Sequence, residues 1–344
     1  KLNMSLKNLS VTKKIPKLLK YKLDNKRVSQ IYKRFEKSLN INQDFIVSVS
    51  GGPDSLSLAF LAKIYSLKKN LTSKFFIVDH KLRLNSTNEA KEVKKVLKKL
   101  SINAQILTWK GKKPIKNIQS LARKKRYELL FDKCMRLRIS NILLGHHQDD
   151  LFENFFIRIL RGSGLKGLIS LNKKNIIKDV SLLRPLLDER KDDLEFISKN
   201  VFNFFVKDPY NDDEKFQRIK IRKLIKGLKL NGLDQKKFNN TLKNLRYSDE
   251  IVKFYVNKNL DENSFFLLKK NQLMIKNNFF NQPHEIVFRS FSESLQTIGM
   301  KYYASRGKKI DKIINDIKSD RLSKATLGGC IIEKINQTVI ISKE

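Results

Sequence analysis

Six consecutive residues, Ser50, Gly51, Gly52, Pro53, Asp54 and Ser55, combine two hydroxyls, two glycines and a carboxylate. Where a strand turns into a helix, such a loop points backbone N–H groups at one spot. The helix dipole adds positive potential there, so the place suits a phosphate. Gly51 and Gly52 let an anion come close to the backbone, and Pro53 fits the first helical turn, where its missing N–H costs nothing. Asp54 is out of place at a site for a bare anion; it makes sense as a holder of a Mg²⁺ that bridges phosphates. The plain structural alternative is a Gly-Gly turn with Asp54 as a helix cap. Two other nucleotide signatures fail. GxxxxGK[ST] is absent, which argues against γ-phosphoryl transfer by a Walker-type loop. GxGxxG occurs at 162–167, but it follows a helical pattern instead of a strand and reads as a flexible cationic turn.

A second cluster, His146, His147, Asp149, Asp150 and Glu153, stands where another strand pattern becomes helical. Asp149 and Glu153 are four apart and Asp150 and Glu153 three apart, so these carboxylates share a face near a helix start. They could hold a cationic amine nucleophile or a second Mg²⁺. They could also be ordinary helix-start acids, with Asp150 and Glu153 in a capping box. The spacing of the histidines is not that of a zinc site.

The elements that position these groups alternate. Strand patterns at 44–50, 74–80, 104–109 and 141–147 are each followed by a helical pattern, at 54–68, 88–100, 117–137 and 149–161. This predicts an α/β fold, a doubly wound, mostly parallel sheet covered on both faces. Ligands in such sheets sit beyond the carboxyl ends of the strands, where the loop 50–55, His80 and the segment 146–153 all fall. Leu19, Val28, Ile31, Tyr32 and Phe35 could line a helix face within a basic N-terminal extension, 1–43. The catalytic domain is then 44–232. A smaller helical or α+β C-terminal domain, 233–344, carries a Lys/Asn-rich helix over 236–258, a strand-like run at 264–268, a helix from 285 and a hairpin-like element at 325–332.

With 344 residues the chain suits two domains. Its net charge of +38 points to a polyanionic partner, nucleic acid first of all, although codon bias toward Lys, Asn and Ile produces a similar excess. The lysines are spread along the chain, so charge alone does not locate a site. No apolar run reaches the roughly 18 residues of a membrane span, and no secretory signal is visible, so the expectation is a cytoplasmic protein without a membrane partner. Cys134 and Cys330 are too isolated for a disulfide framework, which fits a reducing compartment.

At this point the chain resembles a known family. The 50–55 loop resembles the PP-loop ATPases, which cleave ATP to AMP and pyrophosphate, and within them the tRNA(Ile)-lysidine synthetases. The family's VDHxLRxxS segment is matched over Val78–Ser86, HHxDDxxE over His146–Glu153, LRGSGLxGL over Leu160–Leu168 and RPLL over Arg184–Leu187. A further stretch is matched by Asp208, Asn211, Asp213, Phe216, Arg218 and Arg222, and a C-terminal TLGG by Thr326–Gly329. The match is close over about 45–225 and looser elsewhere. Departures are Leu151, Phe152 and Asn154 around Glu153, together with Lys191, Tyr210 and Ile219.

The resemblance implies that ATP lies on Ser50, Gly51, Gly52, Pro53, Asp54 and Ser55, with Mg²⁺ at Asp54. The wobble cytidine of the CAU-anticodon tRNA(Ile) is adenylated at its C2 oxygen, and free L-lysine then displaces AMP to give lysidine. Asp149, Asp150, Glu153, His146 and His147 are the candidates for lysine handling and catalysis. His80, Arg83, Arg161, Arg184, Arg218 and Arg222 are the candidates for ATP or tRNA contacts, with ordinary salt bridges as the alternative for the last three. The C-terminal domain, 233–344, is then expected to bind the tRNA; whether the chain works as a homodimer is left open. A tRNA thiolase of the same fold is the main rival, but sulfur insertion calls for a CxxC pair or a positioned cysteine, and neither is present. A non-catalytic RNA-binding protein is the second rival; the intact loop and acidic cluster argue against it.

Overall fold

The first helices, α1 (Lys17–Leu23) and α2 (Lys26–Leu39), show how the basic N-terminal segment is held. Asn25 caps α2 by accepting the Arg27 and Val28 N–H groups. Leu19, Val28, Ile31, Tyr32 and Phe35 then line one face and enter the same core as the first strand. The computed structural model describes residues 15–111, 118–177, 179–206, 217–268, 271–301 and 305–344. The chain forms two compact units, divided between Gly232 and Leu233.

In the first unit β1 (Phe45–Val49) lies at the centre of the sheet. It is followed by α3 (Pro53–Lys68), whose residues are apolar all round and nearly all buried, as expected of a helix covered on every side. Then come β2 (Ser73–Asp79), α4 (Ser86–Lys99), β3 (Ala104–Thr108), α5 (Ile118–Leu137), β4 (Asn141–Leu143), α6 (Gln148–Ile159), the single turn α7 (Leu165–Leu168), β5 (Lys174–Ile177), β6 (Val180–Leu183), α8 (Lys191–Phe202) and α9 (Gln217–Leu230). The strand order is β3-β2-β1-β4-β6-β5, parallel except for β5. One face packs on α2, α3, α4 and α8. The other is covered by α5 through Tyr127, Leu130 and Cys134 against Ile46, Phe76 and Ile142. The chain runs outward from β1 to β2 and β3, then returns to the far side of β1 as β4. The β1/β4 boundary is therefore the point where winding reverses, the place where ligands bind in sheets of this kind.

The α/β expectation matches this sheet. Two local differences matter for the site. The fourth strand ends at Leu143, short of His147, because residues 144–147 leave the ladder to reach the start of α6. The β5–β6 hairpin, which lacks a clear strand signature in the sequence, extends the sheet beyond β4.

The second unit begins with α10 (Gln235–Asn263), capped by the Asp234 side chain on the Lys237 N–H. It continues with β7 (Ser264–Leu267), β8 (Gln272–Lys276), α11 (His284–Gly299), α12 (Gly307–Lys318), β9 (Lys324–Leu327), β10 (Cys330–Ile335) and β11 (Thr338–Lys343). The antiparallel sheet has the order β7-β8-β11-β10-β9. Val287, Phe291, Leu295, Ile314, Ile332 and Ile341 are among the residues of its core. No helix among the described residues is long and apolar enough to cross a membrane.

Candidate nucleotide and nucleophile site

The loop after β1 is shaped by its own serine. Ser55 Oγ accepts the N–H groups of Ser50 (3.1 Å) and Gly51 (3.0 Å), donates to the Gly52 carbonyl (3.0 Å), and lies 3.1 Å from Ser50 Oγ. Gly51 has φ +91°, and a Cβ there would stand 2.6 Å from Val93 Cγ2, so both conformation and space require glycine. Pro53 opens α3 as expected. On the other side of the loop, Gly145 passes so close that a Cβ would lie 3.2 Å from the Ser55 backbone. The end of β4 and the start of α3 thus meet backbone to backbone at the switch point.

Asp54, in the first turn of α3, is largely buried. Its Oδ1 is sealed from solvent with no hydrogen-bond partner, and its Oδ2 lies 3.6 Å from His147 Nε2. Desolvation pushes this carboxyl above the usual carboxylate range; Asp150 and Glu195 add to the rise, while His147 and Lys191 oppose it.

His147 caps α6. Its Nδ1 accepts the Asp149 N–H (3.2 Å), and Asp150 Oδ2 accepts the His147 N–H (2.9 Å), closing a reciprocal capping box. The box therefore joins His147 with Asp150, a correction to the Asp150–Glu153 pairing expected from spacing. An accepting Nδ1 puts the proton of a neutral ring on Nε2, which faces Asp54 at 3.6 Å and Asp150 Oδ2 at 3.8 Å. His147 Nε2 thus lies between the two carboxylates, just beyond hydrogen-bond distance of either. Desolvation pushes Asp150 upward, but His147, His146 and the His147 N–H outweigh it and hold the carboxyl below its ordinary value. Burial pushes His146 down to about 3, helped by Arg184, Arg123 and Arg126 and opposed by Asp150.

Glu153 is engaged otherwise than as a free carboxylate. It is buried, with Oε1 2.6 Å from Arg222 Nε and Oε2 3.7 Å from Arg218 Nε. It ties α6 to α9. Asp149 is more open and stands 3.5 Å from Lys229 Nζ. Arg184 is 4% exposed, and its Nη1 donates to the Asn172 carbonyl (2.7 Å) and Asn175 Oδ1 (2.5 Å), bracing the β5–β6 hairpin. Arg83 pairs with Glu89 at 2.9 Å, and exposed Arg161 donates to Gln217 Oε1 at 3.1 Å. Asp208, Asn211, Asp213 and Phe216 lie outside the described residues.

At the end of β2, buried Asp79 accepts from Ser86 Oγ, Thr87 Oγ1 and the Lys81 N–H, and so fixes the turn that carries His80. Burial lowers His80 to about 4, with Arg126 adding and Asp79 opposing. His80, Lys81, Trp109, Lys110 and Gly111 line a cavity of about 260 Å³.

Two residues that sequence reasoning missed are Arg123 and Arg126. They continue the inward stripe of α5, Tyr127–Leu130–Cys134, toward its N-terminal end. A core-facing stripe that turns into arginine was the available signal. Arg126 Nε is sealed and without a hydrogen bond. Desolvation, then Arg123 and Arg218, lower its pKa, with Tyr127 opposing. Cations crowded this way favour an anion among them.

Among the described residues no group of three or more His, Cys, Asp or Glu converges as a metal cage. A Mg²⁺ that rides on a polyphosphate needs only one or two carboxylates beside phosphate oxygens and water. The sealed, unpartnered Asp54 Oδ1 with Asp150 nearby fits that requirement.

Residues 21–228 match the PP-loop domain family model, ATP_bind_3. The tRNA(Ile)-lysidine synthase of Orientia tsutsugamushi is 31% identical over 315 residues, covering 88% of this chain and 70% of the relative. That of Rickettsia felis is 31% identical, covering 91% and 74%. The enzyme of Rhodopseudomonas palustris is 37% identical over 191 residues, 55% of either chain. Among solved structures, a U34-tRNA thiolase from Methanococcus maripaludis shares the fold with a TM-score of 0.53 at 17% identity, covering 63% of this chain and 79% of that one.

Proposed function

The chain belongs to the tRNA(Ile)-lysidine synthase family of PP-loop ligases, which form a carbon–nitrogen bond, and on that premise we propose that it joins L-lysine to C2 of the wobble cytidine of CAU-anticodon tRNA(Ile) at the expense of ATP. The observation that carries the reading is the cluster of Asp54, His147 and Asp150 at the β1/β4 switch point, beside the Gly-Gly loop that opens α3.

In this reading the 50–55 loop and the α3 N-terminus hold the triphosphate. The Mg²⁺ that accompanies ATP supplies charge neutralisation on the pyrophosphate, and Asp54, with Asp150 beside it, is suited to hold it. Arg126 and Arg123 offer cationic groups for phosphate oxygens. The cytidine C2 oxygen attacks the α-phosphorus, and the bond to pyrophosphate breaks with its electron pair leaving on pyrophosphate. Lysine must then lose a proton from its ε-ammonium before it can attack C2. Asp149, the more open carboxylate, holds that ammonium and accepts its proton, with the Asp150 charge close by. The new C2–N bond forms as the C2–O bond breaks, and AMP departs with the oxygen. His80 and His146, neutral above about pH 4, act as hydrogen-bonding walls without adding charge. Glu153 acts as a positioning residue that holds Arg222 and Arg218 against α6.

The fold is shared with a thiolase, but burial pushes the Cys134 thiol up to about 12 and raises that of Cys330, so neither offers a ready thiolate. Pyrophosphate release tests the reading. Release that requires the tRNA, and that continues beyond a single turnover only with lysine, supports it; release driven by a sulfur donor, or none under any combination, sinks it.

A further inference from the structure

The long helix α10 of the second unit has two opposed faces. Phe238, Leu242, Asp249, Val256, Asn259 and Asn263 are buried. On the other side Tyr247, Ile251, Phe254 and Tyr255 are 50–64% exposed. The steps Lys243–Tyr247–Ile251–Phe254–Lys258 are four, four, three and four, so they follow one side of the helix. The stripe spans roughly 22 Å at 1.5 Å per residue. Scattered surface apolar residues need no explanation, but a continuous stripe does.

The composition of the stripe suggests what covers it. Its middle is aromatic and its ends are cationic. Lys243 Nζ stands 5.5 Å from the centroid of the Tyr247 ring, and the Phe254 and Tyr255 rings meet edge to face at 5.5 Å. Lys258 reaches Glu262 only at 3.8 Å in an exposed pair, which leaves it available to a stronger anion. A second copy of the chain is a poor occupant. Antiparallel pairing about Ile251 sets Lys243 against Lys258, parallel pairing sets each lysine against itself, and each chain carries +38. Aromatic faces flanked by lysines suit a partner with flat, stackable groups and regular negative charge.

We propose that the outer face of α10, centred on Tyr247, Ile251, Phe254 and Tyr255 and ended by Lys243 and Lys258, binds an unpaired segment of RNA, its bases stacking on the aromatic rings and its phosphates meeting the lysines. The inference rests on the proposed RNA substrate, but it concerns a surface with no part in the chemistry.

The test is fluorescence anisotropy of labelled CAU-anticodon tRNA(Ile) with the full chain over a range of salt concentrations. The variant Tyr247→Ser/Phe254→Ser/Tyr255→Ser is expected to lose tenfold or more in affinity with the salt slope unchanged. The variant Lys243→Gln/Lys258→Gln is expected to flatten the log–log salt slope by about 1.4, from roughly 0.7 per single-strand contact. Circular dichroism and thermal melts check that both remain folded; all five positions are exposed. Full affinity in the aromatic variant overturns the proposal. So does a dimer, seen by sedimentation, that the aromatic variant abolishes while RNA affinity stays the same, or an acidic helical peptide that binds the face while RNA does not. Lysine incorporation is measured in parallel. If the wild type incorporates none yet the aromatic variant loses RNA affinity, the proposed reaction fails and the RNA-binding face stands.

Discussion

Both units bury charge, and they treat it in opposite ways. In the second, Arg289 and Asp249, each no more than 4% exposed, pair at 2.5 Å, with Glu285 2.7 Å from Arg289 and Lys253 2.8 Å from Asp249. Desolvation works against both partners, yet their mutual hydrogen bonds prevail: Asp249 is held below its ordinary range and Arg289 above. Each is locked in its charged form. At the switch point of the first unit desolvation wins at four groups, though not at Asp150. Asp54 is raised, and His80, His146 and Arg126 are lowered, so each is pushed toward its neutral form. The chain pairs buried ions tightly at Asp249–Arg289 and, in the first unit, at Glu189–Arg34, yet leaves this set without such partners, which makes it a candidate for a ligand site. Glu153 lies between these cases, buried at the site yet tied to Arg222.

The contrast can be broken by mutation. The largest effect is expected from Asp54→Ala. Pyrophosphate release should fall at least about a hundredfold, as for other charge-stabilising groups at reaction centres, while tRNA affinity is retained. Its raised pKa means that ionised Asp54 opposes folding at neutral pH, so the melting temperature should hold or rise. Surviving turnover with a lower melting temperature would reverse the assignment. Asp249→Asn should do the opposite. Breaking the buried pair strands Arg289 at a cost of about 3–5 kcal/mol, measured by urea unfolding, and leaves adenylation intact in the folded fraction. Glu153→Gln should show both behaviours in smaller measure. We expect stability to drop by about 1–3 kcal/mol and the KM for lysine to rise severalfold, with little change in the pyrophosphate burst. An unchanged KM would make the ion pair purely architectural.

The smallest effect concerns pH. His146 and His80 are depressed to about 3 and about 4 in the folded protein, against about 6.5 in an unfolded chain. Below about 6.5 the unfolded chain binds the additional protons, so stability falls with pH from there toward 4. His146→Gln should flatten that decline in melting temperature between pH 6.5 and 5. A slope equal to that of the wild type would mean that His146 already carries its proton when folded.

Much of this arrangement is legible in the sequence because it is local. The strand–Gly-Gly–helix order fixes the loop, and four strand–helix alternations fix the sheet. What escapes is set by residues distant in the chain. Nothing in Asp150 and Glu153 reveals that one turns back to cap with His147 while the other is claimed by Arg222, 69 positions onward. Arg184 reads equally well as a phosphate ligand, and only the β5–β6 hairpin, itself without a strong strand pattern, accounts for its burial. Arg126 was concealed among the neighbouring basic residues of α5, where the helical stripe was the sole clue. On α10 the sequence reveals a helix, but which face is left uncovered depends on how α11 and the sheet pack against it.

The central claim is that the carboxylates and phosphate loop at the switch point serve the adenylation of a tRNA base by ATP and its attack by an amine. The most direct measurement incubates the protein with ATP, Mg²⁺ and labelled lysine, separately with the isoleucine and methionine tRNAs that carry CAU anticodons, and locates the label by mass spectrometry of nuclease fragments. The account predicts one lysine on the wobble cytidine of the isoleucine tRNA, with AMP and pyrophosphate in equal amount, and none on the methionine tRNA. Pyrophosphate release without lysine in the RNA, or lysine joined at any other nucleotide, would contradict it.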